Sequence, residues 1–142
     1  MPYAPLQKHL SQPEELIVVM LSYRLHFEID FLQEIDEVSS KSCFQNPQHD
    51  ITGIMIFAEN DSKKVCFQYL EGPSGEIDQL LTNVSKDNLV ARMKLEAMTT
   101  IKQRSFPQFT TQLVTIREFR HEKLKAIIKL NELRSLNSQW WG

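Results

Sequence analysis

Asp50-Ile51-Thr52-Gly53-Ile54-Met55-Ile56-Phe57, followed by Val65-Cys66-Phe67-Gln68-Tyr69-Leu70-Glu71-Gly72-Pro73, is the stretch whose reading decides the fold. Each half is a short apolar run rich in β-branched and aromatic residues. Between them, Glu59-Asn60-Asp61-Ser62 supplies residue types that favour a tight turn, so strands over 51–58 and 64–70 are expected to pair antiparallel. Gln68 interrupts the second run. An amide buried without hydrogen bonds costs roughly 1–3 kcal/mol, so Gln68 either turns to solvent or faces a polar ligand.

Working outward, Leu16-Ile17-Val18-Val19-Met20-Leu21 is apolar throughout and suits a central strand covered on both faces. Ile29, Leu32, Ile35 and Val38 recur every three residues and predict a helix over 27–41. After Pro73, Ser74 reads as an N-cap, with Glu76 in the first turn and Ile77, Leu80, Leu81 and Val84 at i, i+3, i+4, i+7. Two further strands are expected over 92–102 and 111–116. This order is the split βαβ pattern. The expected fold class is α+β, a ferredoxin-like βαββαββ with a mixed sheet and two helices on one face. A C-terminal helix carrying Leu124, Ile127, Ile128, Leu130, Leu133 and Leu136 covers the other face, with Lys123, Lys125, Lys129 and Arg134 on its wet side. The expected division is an N-terminal tail over 1–14, a domain over 15–116 and a helical cap over 117–142.

A chain of 142 residues, 42% hydrophobic and 24% charged, is long enough for one core and lies outside the disordered range. A net charge of −2 provides no overall basic field for nucleic acid or an anionic membrane. No run approaches the length of a membrane span and the start lacks a basic-then-apolar leader pattern, so the expected location is cytoplasmic. Cys43 and Cys66 have no CxxC spacing and read as reduced core thiols. His9, His26, His49 and His121 form no i, i+4 pair and have no ligand at metal spacing, so no metal is expected. No nucleophile elbow or Gly-rich anion cradle occurs, and no enzyme is expected.

Ser42 and Asn46, then Ile51-Thr52-Gly53, then Phe67-Gln68-Tyr69-Leu70-Glu71-Gly72-Pro73, in this order and spacing, resemble the BLUF family of flavin-binding blue-light sensors over roughly residues 15–115. The resemblance implies that Ser42, Asn46 and Gln68 bind the polar edge of a flavin, FAD or FMN, whose carbonyls and ring nitrogens amides and hydroxyls can pair. Three departures stand beside it. The family's first-strand tyrosine lies two residues before a serine, a position taken here by Met20, which cannot donate a hydrogen bond. Tyr23 is an odd number of residues away, so alternation is expected to turn it from Gln68. Where the family has an Asp followed by basic residues, this chain reads Asp87-Asn88-Leu89-Val90, and loss of those cations weakens the grip on phosphate. Phe109 and Thr111 stand where the family places a Trp and a Met. Side chains such as Met20, Leu89 and Val90 are candidates to fill the pocket and leave it without cofactor.

The resulting expectation is a BLUF-fold regulatory module that acts by protein contact, with weak or lost FAD binding and no normal photocycle. Its partner is an unidentified protein or a second copy of the chain, with no role for membrane or nucleic acid. Two alternatives stand: an FAD-binding photoreceptor, and an RNA-binding sheet on which Phe67 and Tyr69, which share a strand face, stack bases. The terminal Trp140-Trp141 pair reads as a docking anchor or as a fold-back onto the sheet, and Glu71 as a helix cap, a solvated carboxylate or a general base.

Overall fold

A computed structural model describes residues 15–26, 30–60, 63–87 and 90–141. The expected tail over 1–14, Ile29, Leu89, and the side chains of Leu136, Trp140 and Trp141 lie outside the described residues. The chain order is β1 (Leu16–Leu25), α1 (Phe31–Gln48), β2 (Thr52–Glu59), β3 (Lys64–Pro73), α2 (Ser74–Ser85), β4 (Val90–Thr100), β5 (Phe109–Leu113) and α3 (Ile116–Trp141). The sheet runs β4-β1-β3-β2-β5, antiparallel except where β5 joins β2 in parallel. This is the expected α+β, ferredoxin-like plan with an added fifth strand.

Alternation splits the strand residues between two cores. Ile17, Val19, Leu21, Tyr23, Met55, Phe57, Cys66 and Leu70 pack with Ile35 of α1 and with Ile77 and Leu81 of α2. On the other face, Val18, Met20, Ile56, Phe67 and Tyr69 pack with Phe119 and Leu130 of α3. The continuous apolar run at the start of β1 is thus a strand covered on both sides.

Several boundaries differ from expectation. β1 continues to Leu25, and α1 begins after Asp30, whose side chain accepts the Gln33 N–H, instead of at Phe27. α1 also runs on to Gln48, seven residues beyond the predicted end at Lys41. Leu32, assigned to its packing stripe, is 63% exposed, and Cys43, read as a core thiol, is exposed on the same helix while Cys66 is buried; the inward face passes instead through Ile35, Val38, Ser42 and Asn46. In α2 the N-cap is Pro73, and Ser74 is already helical. In α3, Leu130 is buried and Leu133 packs on the sheet, whereas Leu124, Ile127 and Ile128 are exposed.

The Ile51-Thr52-Gly53 turn has a steric origin. α1 ends with the Asn46 carbonyl accepting both the His49 and Ile51 N–H, and Asp50 adopts φ 62° to reverse the chain. Gly53 then enters the sheet at φ 137°, where a Cβ would stand 1.9 Å from the Tyr69 carbonyl oxygen. Only glycine fits there.

Candidate functional site

Between α1 and α2, above β3, lies a cavity of about 510 Å³ lined by Tyr23, Ser42, Asn46 and Gln68 together with Ile51, Met55, Leu80, Val84 and Val90. Ser42 and Asn46 are four residues apart on one helix, which places them on one face, one turn apart. Gln68 reaches the cavity from the middle of β3. The three residues singled out from the sequence therefore line one space.

The polar geometry inside it is specific. Gln68, 1% exposed, donates from Nε2 to the Tyr23 hydroxyl at 3.0 Å. Its Oε1 has no partner among the described residues, and neither has Nδ2 of Asn46, which is 5% exposed. Most buried polar groups in folded proteins are hydrogen-bonded, so two orphaned amide atoms on one cavity mark a place built for a further polar partner. Asn46 is no loop residue capping its own backbone, and Gln68 is no surface amide.

Tyr23 was expected to face away from Gln68, with Met20 in the phenol's place, and the structure corrects this. The parity argument holds, but Met20 is the residue on the far side: it packs with Phe67 and Tyr69 beneath α3, while Tyr23 shares the helix-facing side with Leu21. Leu21 is directly opposite Gln68, which puts Tyr23 on the adjacent diagonal, within reach of a long side chain. A register shift against β4 falls between Met20 and Leu21 without disturbing alternation in β1. Met20 therefore does not fill the cavity; Val90 lines it. A usable signal was present in Ser22-Tyr23-Arg24-Leu25, whose polar–apolar alternation groups Tyr23 with Leu21.

Burial, and next the neighbouring Cys66, push the Tyr23 phenol well above its ordinary range, although the hydrogen bond with Gln68 pulls the other way. The Cys66 thiol is likewise pushed up to about 12 by burial. The phenol is thus a neutral O–H at physiological pH. The cavity mouth has a different character: Glu34, Glu37, Glu76 and Asp87 face one ammonium, Lys41, and Glu76 is paired with His49 at 3.0 Å.

Glu71 and Arg104 hold the far end of β3. Glu71 is fully buried and is neither a helix cap nor solvated: its carboxylate accepts the backbone N–H of Ser105 and of Phe106 at 2.8–2.9 Å. Arg104 donates to the carbonyls of Glu71 and Asp50 and to the Thr52 hydroxyl, at 2.7–3.0 Å. Together they tie the segment before β5 to the strand that carries Gln68. Phe109 is buried in the helix-side core, and Thr111 lies beside Met55 in the parallel β2–β5 pairing. The stacking surface envisaged for RNA is closed, because Phe67 and Tyr69 are each 1% exposed and packed edge-on against Phe119 and Phe106.

The model of the family described as BLUF, sensors of blue-light using FAD, matches residues 18–112. The chain belongs to the BLUF family. Among solved structures, the BLUF protein BlrB in its dark state aligns with a TM-score of 0.66 at 24% identity, over 78% of this chain and 80% of that one. BlsA in its photo-activated state aligns with a TM-score of 0.65 at 21% identity, over 83% and 94%. A bacterial light-regulated adenylyl cyclase aligns with a TM-score of 0.63 at 19% identity, over 87% of this chain but 36% of that one. These likenesses show the BLUF fold, and the last shows it as one part of a longer protein. No curated protein matches the sequence. Among the described residues, no helix is long and apolar enough to cross a membrane.

Proposed function

We propose that this BLUF chain holds a flavin ring between α1 and α2 and responds to blue light through the Tyr23–Gln68 hydrogen bond. The observation that carries the reading is the state of Gln68: buried, bonded to a phenol through Nε2, with Oε1 unpaired beside the equally unpaired Nδ2 of Asn46. The donor set fits a flavin edge. Asn46 Nδ2 supplies a donor for a ring carbonyl, Gln68 Oε1 an acceptor for a ring N–H, and Ser42 a hydroxyl that can do either. A bound flavin supplies light absorption and electron acceptance. Tyr23 would present a neutral phenolic O–H beside a bound ring, and Gln68, able to exchange its donor and acceptor ends by rotation, would hold the ring edge and register any change in the hydrogen bond it makes to that phenol.

This reading restores the phenol thought lost and keeps the acidic mouth. The loss of cations beside Asp87 leaves no cationic grip for a diphosphate there, so FAD is held chiefly by its ring. The recipient of the signal is taken to be a protein. In support, Leu124, Ile127 and Ile128 are apolar, 38–56% exposed, and spaced i, i+3, i+4 on one side of α3.

Reconstitution of the purified chain with flavin tests the proposal. Retained flavin whose absorption shifts to the red under blue light, with the shift lost in Tyr23→Phe, is the expected result. Absence of flavin retention from riboflavin, FMN and FAD alike would overturn it.

A further inference from the structure

A second cavity, of about 330 Å³, lies on the other face of the sheet, between the ends of β1, β3 and β4 and the N-terminal turns of α3. Its wall gathers cations from separate elements: Arg24 of β1, Lys63 before β3, Arg92 and Lys94 of β4, and Arg120 and Lys123 of α3, against the single carboxylate of Glu96. In a chain of net charge −2 this is a local reversal of sign. Glu96 is already engaged, accepting the Ser22 hydroxyl at 2.9 Å and pairing with Lys123 at 3.0 Å and Lys94 at 4.0 Å. Among the described residues, Arg24, Lys63, Arg92 and Arg120 form no ion pair.

The register sharpens the point. Arg24 stands directly opposite Arg92 in the β1–β4 pairing. Like charges directly opposed on an antiparallel pair destabilise it, and an anion bridging the two guanidinium groups would turn that repulsion into two charge-assisted contacts. Guanidinium groups match phosphate oxygens in bidentate geometry, and the N-terminal end of α3 contributes the favourable end of its dipole. The cavity also has an apolar side formed by Val65 and Phe119, the latter buried and held edge-on by Phe67 at 5.3 Å. A site for bare phosphate would not need that wall, and the volume falls at the small end of the ~300–1,000 Å³ range of ligand sites.

We propose that this cavity binds a small phosphorylated organic molecule of nucleoside-monophosphate size, its phosphate between Arg24 and Arg92 and its apolar body against Val65 and Phe119. The proposal does not rest on flavin binding in the other cavity, although Tyr23 contributes to the lining of both.

Calorimetric titration of the full chain at low salt with AMP, adenosine and inorganic phosphate tests this. AMP binding is expected to weaken with added salt and to fall at least tenfold in Arg24→Gln and in Arg92→Gln. It should be unchanged in Lys86→Gln, an exposed lysine at the end of α2 on the other face. Adenosine is expected not to bind. Equal affinity for phosphate and AMP would overturn the organic ligand, because the apolar wall would then contribute nothing. No binding of AMP or phosphate at millimolar concentration, or AMP binding indifferent to both arginine substitutions, would overturn the proposal. Binding of an acidic peptide with no phosphorylated ligand bound would overturn it in favour of a protein surface. Melting temperature keeps the variants interpretable: ligand-free Arg24→Gln is expected to melt no lower than the parent, since a repulsive pair is removed, yet to lose the rise that AMP confers.

Discussion

The Tyr23 hydroxyl and the Gln68 amide nitrogen meet at 3.0 Å from neighbouring antiparallel strands, on a diagonal two positions out of direct register. Removing the hydroxyl leaves both ends of a buried amide without partners. Tyr23→Phe is expected to cost about 1–3 kcal/mol in chemical denaturation of the flavin-free chain. It should abolish the light-induced red shift while leaving flavin affinity within a few-fold. Met20→Leu, a near-isosteric change in the core beneath α3, should cost under about 1.5 kcal/mol and leave the spectrum unchanged. A spectrum altered by the Met20 substitution and indifferent to Tyr23 would return the switch position to β1's other face.

The carboxylates at the cavity mouth predict an order among flavins. Riboflavin carries no phosphate, whereas FMN and FAD bring negative charge towards Glu34, Glu37, Glu76 and Asp87, with Lys41 the lining lysine to offset them. Riboflavin affinity should be nearly independent of salt. FAD affinity should rise with salt, because screening weakens a repulsion. Glu34→Gln with Glu37→Gln should tighten FAD several-fold and leave riboflavin unaffected. Fluorescence titrations in two salt concentrations decide it; FAD affinity that falls with salt would mean a cationic grip has been overlooked.

The element order was legible in the sequence because turn residues punctuate it and because Ile77, Leu80, Leu81 and Val84 follow the helical period cleanly. What misled was the loss of period at the site itself. The inward face of α1 changes from Ile35 and Val38 to Ser42 and Asn46, so hydrophobic spacing stops at Lys41 although the helix continues. β1 is apolar on both faces up to Leu21, so its parity is visible only in the Ser22–Leu25 segment, beyond the predicted strand. Local rules fail where side chains face a ligand cavity instead of a core. Glu71 left no sequence signal of its own, since its partners are backbone N–H groups 34 and 35 residues away.

That buried carboxylate predicts a mechanical role. Glu71→Ala would orphan the Ser105 and Phe106 N–H groups and release the segment before β5 from β3. The expected cost is on the order of 3 kcal/mol, since hydrogen bonds to a charged acceptor are lost and buried donors are left unsatisfied. Glu71→Gln keeps one acceptor oxygen and should cost less. Hydrogen exchange at the amides of Ser105 and Phe106 should speed up strongly in the Ala variant. A cost below about 0.5 kcal/mol would show that the clamp adds nothing beyond the Arg104 contacts.

Stability should also fall on the alkaline side, for a reason that can be assigned to residues. Cys66 is raised by burial from an ordinary 9.0 to about 12, and Tyr23 and Tyr69 are raised above their ordinary 10.0 by the same cause. In each case the folded chain keeps its proton where the unfolded chain releases it. The contribution is therefore fully present below pH 9, and it is lost as pH rises from 9 towards 12, at on the order of 1 kcal/mol per pH unit for each ionising group. Denaturation midpoints measured from pH 7 to 11 should be flat and then decline from about pH 9. Cys66→Ala removes the thiol, so the onset should move up to about pH 10, where the two tyrosines begin to act. A profile unchanged by that substitution would assign the alkaline loss to groups other than the thiol beneath Tyr23.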